Sequence, residues 1–105
     1  MADVLGKAKP IASAQVRRIT WADEAVSNLD SIAAYVHDFN PLAAQRLALR
    51  LRSAADSLAE HPDRGRPIGR GLRELVIVPP YLIRYRVKGD GVEIISIRHG
   101  ARAPD

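Results

Sequence analysis

The side chains best suited to chemistry lie between residues 72 and 99, where Arg73, Arg84, Arg86, Arg98 and His99 fall within three short β-rich runs. Guanidinium groups keep their charge and hold phosphate or carboxylate oxygens in a planar fork. An imidazole titrates near neutrality, so His99 is the side chain in this stretch able to accept or give a proton. Together they describe a surface for a polyanion or for an acidic protein face. Other chemistries find less footing. His37, His61 and His99 are scattered without metal-ligand spacing, so no metal and no cofactor are expected. The chain has no cysteine, which removes thiolate chemistry and disulfides. Gly65, Gly69 and Gly71 are wrongly spaced for a phosphate-binding loop and read as turn residues. Ser27, Ser31 and Ser53 fall on helical segments with no partner base. Trp21, Tyr81 and Tyr85 could stack on bases but read as core residues.

Charge is unevenly spread. Residues 1–63 carry seven Lys/Arg against eight Asp/Glu, and residues 64–105 carry nine against four. The cationic half is also the β-rich half, which favours an acidic or polyanionic partner over simple solubility. The chain of 105 residues is long enough for one small core. No apolar run reaches the length of a membrane span and the N-terminus has no apolar signal core, so a cytoplasmic protein without membrane contact is expected.

The elements that position these residues follow from periodicity and punctuation. Residues 1–15 have no period and read as a loosely held extension, with the folded domain over 16–105. A short strand is expected at 16–20. Thr20, with Asp23 three residues on, reads as a helix cap. Ala22, Ala25, Val26, Leu29, Ile32, Ala33 and Val36 then predict one apolar helix face over 22–38. Asn40-Pro41 restarts a helix over 41–60, with Ala44, Leu47, Ala48, Leu51, Ala55 and Leu58 as its stripe. Leu42 and Leu49 lie off that stripe, either covered by a wide core face or free for a partner. Residues 61–71 read as a Pro/Gly loop. Strands are expected at 72–78, 81–87 and 92–99, turned at Pro79-Pro80 and Lys88-Gly89-Asp90-Gly91. Along the middle strand Tyr81, Ile83, Tyr85 and Val87 share one face, and Leu82, Arg84 and Arg86 the other. The expected fold is a small α+β domain of order β-αα-βββ, an antiparallel sheet with a helical hairpin packed on one face.

Four sequence features in this order carry a family resemblance. They are a strand leading into Trp21-Ala22-Asp23-Glu24-Ala25, a helical hairpin ending in His61-Pro62 with Gly65-Arg66-Pro67 behind it, Arg73-Glu74-Leu75 followed by Tyr81-Leu82-Ile83-Arg84-Tyr85-Arg86-Val87, and Val92-Glu93-Ile94-Ile95 running into His99-Gly100-Ala101-Arg102. Over residues 16–102 the chain resembles the ParE branch of the RelE/ParE toxin superfamily of type II toxin–antitoxin systems. The resemblance implies growth arrest, a role in plasmid stabilisation and a cognate ParD-like antitoxin that neutralises the toxin in a hetero-oligomeric complex. ParE-type members are associated with poisoning DNA gyrase; RelE-type members are ribosome-dependent mRNA endoribonucleases. A nuclease reading would use His99 with Arg73, Arg84 and Arg98, without metal. The chain departs from RelE-type sites in having no Tyr after Tyr85 and no Lys in residues 61–75, and its His99-Gly100-Ala101-Arg102 ending resembles ParE. The expected function is therefore gyrase inhibition, with the nuclease or a toxin fold of lost activity as alternatives. The residues expected to meet the target are Arg64, Arg66, Arg73, Arg84, Arg98, His99 and Arg102. The antitoxin is expected on Tyr35, Leu42 and Leu49, with acidic groups against the arginines. A plain nucleic-acid-binding module is also compatible with the charge, although no helix-turn-helix or zinc motif supports it.

Overall fold

The computed structural model describes residues 17–100. Val16, the extension expected at 1–15 and Arg102 lie outside the described residues. The chain enters through strand β1 (Arg18–Trp21) and forms two helices, α1 (Asp23–His37) and α2 (Pro41–Asp56), the second running into a short 3-10 turn at Ser57–Ala59. Four strands follow: β2 (Arg66–Gly69), β3 (Leu72–Val78), β4 (Tyr81–Lys88) and β5 (Gly91–His99). They build one five-stranded sheet in the order β1-β5-β4-β3-β2. The α+β plan and the helical hairpin are as the periodicity predicts.

Two features of the sheet differ from expectation. Strands β2 to β5 pair antiparallel, but β1 joins β5 in parallel, with Arg18 opposite Gly91 and Trp21 opposite Ile94. Alternation within a strand sets its faces but not its distant neighbour, so this pairing is invisible locally. The expected loop at 61–71 also contains β2, an edge strand whose Pro67 lacks an N–H. Its turn into β3 places Arg70 at φ 57° and Gly71 at φ 75°. Two successive residues at positive φ are the pattern of a two-residue I′ hairpin turn, whose twist suits the flanking strands.

Thr20 is not the cap of α1. It is held in β1 opposite Glu93, and the helix instead starts after Ala22, whose side chain supplies no cap bond. Asp23 and Glu24 in the first turn offset this by facing the positive end of the helix dipole. Asn40 caps α2 as expected, its Oδ1 accepting the Ala43 N–H at 3.0 Å with Pro41 behind it. That cap stabilises the start of α2 by about 1 kcal/mol.

The helices cover one sheet face. Ala25, Leu51, Ala54, Ala55 and Leu58 bury against Leu75, Ile83, Tyr85, Val92, Ile94 and Ile97, with Trp21, Leu47 and Tyr81 packed at the margin. Each fully buried Leu or Ile contributes about 1.5–3 kcal/mol. A β-bulge serves this core. The β4–β5 register moves from Arg84 opposite Ser96 to Tyr85 opposite Ile94, leaving Ile95 as the extra residue. Regular alternation would put Ile94 and Ile97 on opposite faces; the bulge turns both toward the helices. Val26 and Val87, expected in the apolar sets, are exposed.

Candidate functional site

The sheet face opposite the helices carries a row of charge across its strands. Arg66, Glu74, Arg84 and Ser96 lie side by side on β2, β3, β4 and β5. Glu74 is 7% exposed and sits between two guanidiniums, its Oε2 2.7 Å from Arg84 Nη2 and its Oε1 3.5 Å from Arg66 Nη2. The Arg84 hydrogen bond holds its carboxyl below the usual 4.5, against the opposing effect of burial, and Arg66 adds to the lowering. One row along, Arg86 Nη2 lies 3.4 Å from Glu93 Oε1. Arg98 lies opposite Leu82, diagonal to Arg84 on the same face. Ser96 is buried, and Arg84 Nε is buried without a partner among the described residues.

The loop before β2 is held from the other side of the sheet. Tyr85 is fully buried, and its hydroxyl accepts the Gly65 N–H at 2.8 Å and donates to the Pro62 carbonyl at 2.6 Å. Burial pushes the Tyr85 phenol above its ordinary 10.0. Position 65 has to be glycine because a Cβ there would meet the Tyr85 hydroxyl, the Tyr85 ring and the Glu74 carbonyl, each at 2.8 Å. Arg73 lies opposite Tyr85, in the helix-facing register, and donates to the Gly65 carbonyl at 2.6 Å with a longer contact of 3.5 Å to the Asp63 carbonyl. Arg64 Nη1 donates to Ser57 Oγ at 2.7 Å, at the end of α2. Arg64 and Arg73 are thus engaged in fastening this loop.

At the far end of β5, His99 lies opposite Tyr81 in the helix-facing register, and their rings meet edge to face with centroids 5.4 Å apart. The following Gly100 donates its N–H to the Pro80 carbonyl, where a Cβ would come within 2.8 Å of that oxygen. Farther back, the Ile97 N–H donates to Asn28 Oδ1 at 2.9 Å. β1 has already turned into α1 at this level, so Asn28 supplies the acceptor that a longer β1 would have provided.

The residues singled out from sequence are therefore divided. Arg66, Arg84 and Arg98 share the open face, whereas Arg73 and His99 lie in the register of the helix-facing side. The four-residue nuclease set of His99, Arg73, Arg84 and Arg98 is not gathered in one place. Sequence reasoning missed Glu74, Glu93, Tyr81 and Asn28 as partners. Glu74 carried a signal, being an acidic residue in the middle of a β run flanked by arginine-bearing strands.

The helical hairpin offers a second surface. Tyr35 and Phe39 meet edge to face with centroids 5.2 Å apart, and both are exposed. Leu42 is 54% and Leu49 62% exposed, so the core does not cover them. Between the helices runs a cleft of about 530 Å³ whose walls include Ala33, Ala34, Ala44 and Ala48. Large apolar side chains left exposed on a helical hairpin are candidates for an interaction surface. No helix of the described residues is long and apolar enough to cross a membrane.

Comparison with known proteins adds a frame. The family model described as the ParE toxin of the type II toxin-antitoxin system, parDE, matches residues 19–104. Toxin RelE2 of Caulobacter vibrioides is 55% identical over 85 residues, covering 81% of this chain and 97% of that protein. Putative toxin Y4kP of Sinorhizobium fredii is 45% identical over 86 residues, covering 79% and 88% respectively. Among solved structures, a chain of the chromosomal ParDE toxin–antitoxin system from P. aeruginosa superposes with a TM-score of 0.74 at 23% identity, over 81% of this chain and 97% of that one. That last likeness is one of fold.

Proposed function

This chain belongs to the ParE toxin family of type II toxin–antitoxin systems, and on that premise we propose that it arrests growth by inhibiting DNA gyrase. A toxin of such a system has an antitoxin as its partner. The observation that carries the gyrase reading is the state of the arginines. Metal-free RNA cleavage needs cations free for phosphate, grouped around an acid and a base. Here Glu74 engages Arg84 and Arg66, Arg73 is bound to loop carbonyls, and His99 lies in the opposite register to Arg84. Such an arrangement suits contact with a protein better than phosphodiester chemistry. The contacting residues are Arg66, Arg84, Arg98, His99 and Arg102, with Arg64 and Arg73 shaping the loop beside them. Action on gyrase places the toxin in the bacterial cytoplasm.

A ParD-like antitoxin binds the hairpin surface in this reading. Its apolar side chains cover Tyr35, Leu42 and Leu49 and enter the cleft between α1 and α2, giving a hetero-oligomeric complex. The exposure of both leucines supports this assignment.

His99, its ring held edge to face against Tyr81, favours a second reading, as a positioned imidazole can serve as a general acid or base. The two readings separate in paired assays: supercoiling by purified gyrase, and mRNA integrity in a translating extract. Blocked supercoiling with intact mRNA supports the first. Cleaved mRNA with normal supercoiling overturns it, and His99→Ala should then slow cleavage by about 10² or more.

A further inference from the structure

We propose that Glu74 is a specificity determinant, an internal anion that occupies the Arg66–Arg84 pair and keeps nucleic-acid phosphate off the open sheet face. The inference deepens the proposed function, because it rests on that face serving protein rather than RNA contact. Three observations carry it. Glu74 is almost wholly buried beneath the guanidiniums, so its carboxylate is fixed between them rather than sampling solvent. Its two oxygens face different arginines, Arg84 at 2.7 Å and Arg66 at 3.5 Å, so the negative charge that a phosphate would bring to this pair is already in place. The second carboxylate of the face, Glu93, lies against Arg86, so the same pairing recurs one row along.

A guanidinium with free donors is a phosphate fork. Remove the Glu74 charge, and Arg66 and Arg84 become neighbouring cations without an internal anion, beside the buried Ser96 hydroxyl. The toxin would then become a binder of single-stranded nucleic acid, as its overall charge suggests and its paired arginines prevent.

The test measures binding of the full chain to a fluorescent 20-nucleotide single-stranded RNA over a salt series. The wild-type protein should bind weakly. Glu74→Gln should bind at least tenfold more tightly at low salt, and two freed phosphate contacts should steepen the log–log salt slope by about 1.4. The double variant Glu74→Gln/Arg84→Gln should return to wild-type affinity. Unchanged affinity in Glu74→Gln overturns the proposal, as does tight binding by the wild type. So does a gain that persists in the double variant, since any lost negative charge would then suffice. Where the glutamine variant does not fold, Glu74→Met retains side-chain bulk without charge and is read the same way. Gyrase inhibition by the wild type is scored separately, so failure of the target assignment and failure of this inference are distinguishable.

Discussion

Replacing Tyr85 by Phe tests how the loop at residues 62–65 is held. The substitution removes one oxygen and leaves the ring in the core. That oxygen accepts the Gly65 N–H and donates to the Pro62 carbonyl. Gly65 is buried, so its N–H loses its partner where water cannot easily replace it. An orphaned buried donor costs about 1–3 kcal/mol, and a lost hydrogen bond to the less buried Pro62 carbonyl adds about 1 kcal/mol. The expected destabilisation is roughly 3 kcal/mol. In a domain of this size, each kcal/mol moves the melting temperature by about 4–8 °C. Urea unfolding of the isolated toxin should show a lower midpoint at unchanged slope, and the Gly65 amide should lose protection against hydrogen exchange. The phenol adds a pH signature. Its folded value lies above the ordinary 10.0, so its contribution is complete below that pH and declines as pH rises toward the folded value. Tyr85→Phe should therefore flatten the alkaline loss of stability. A loss below about 0.5 kcal/mol with Gly65 protection intact would refute the claim that this hydroxyl secures the loop.

Four other outcomes are expected. Arg70 sits at φ 57°, so Arg70→Asn, which gives the favoured Asn-Gly pair, should raise stability by roughly 0.5–1 kcal/mol in urea melts. Asn28→Ala should cost about 1 kcal/mol and unprotect the Ile97 amide in hydrogen exchange, whereas Asn28→Asp, which retains the acceptor, should largely restore both. Because the folded Glu74 carboxyl lies below 4.5, its stabilisation is present above that pH and lost as pH falls through the folded value; acid titration of Glu74→Gln should show a shallower decline. Leu42→Asp/Leu49→Asp should weaken antitoxin binding by 100-fold or more by calorimetry, since burying each leucine is worth about 1.5–3 kcal/mol, while the toxin's melting curve stays in place.

The elements that local rules control were legible in the sequence. Asn40-Pro41 marked the start of α2, and the strands at β3, β4 and β5 were readable from alternation and turns. Legibility ended where tertiary pairing decided. Thr20 has the chemistry of a cap but was drawn into β1 by pairing with Glu93. β2 was hidden because Pro67, Gly65 and Gly69 read as loop residues, although an edge strand tolerates them. The candidate site was legible in its arginines and not in their states. Alternation put Arg84 and Arg86 on one face, but placing Arg98 beside Arg84 required the β4–β5 register, and that register contains a bulge at Ile95. Likewise, only the β3–β4 pairing puts Glu74 against Arg84 and turns Arg73 away.

The parallel union of β1 with β5 also governs when the molecule becomes itself during synthesis. β5 lies between β1 and β4, yet among the described strands it is the last to be made. The α1–α2 hairpin closes through short-range contacts and can form early, whereas the sheet lacks an inner member until β5 has been synthesised. Arg98 and His99 arrive with that final strand. The nascent chain thus carries the hairpin surface before the completed charged face, so an antitoxin that docks there, as proposed, would meet its landing place before the sheet is finished.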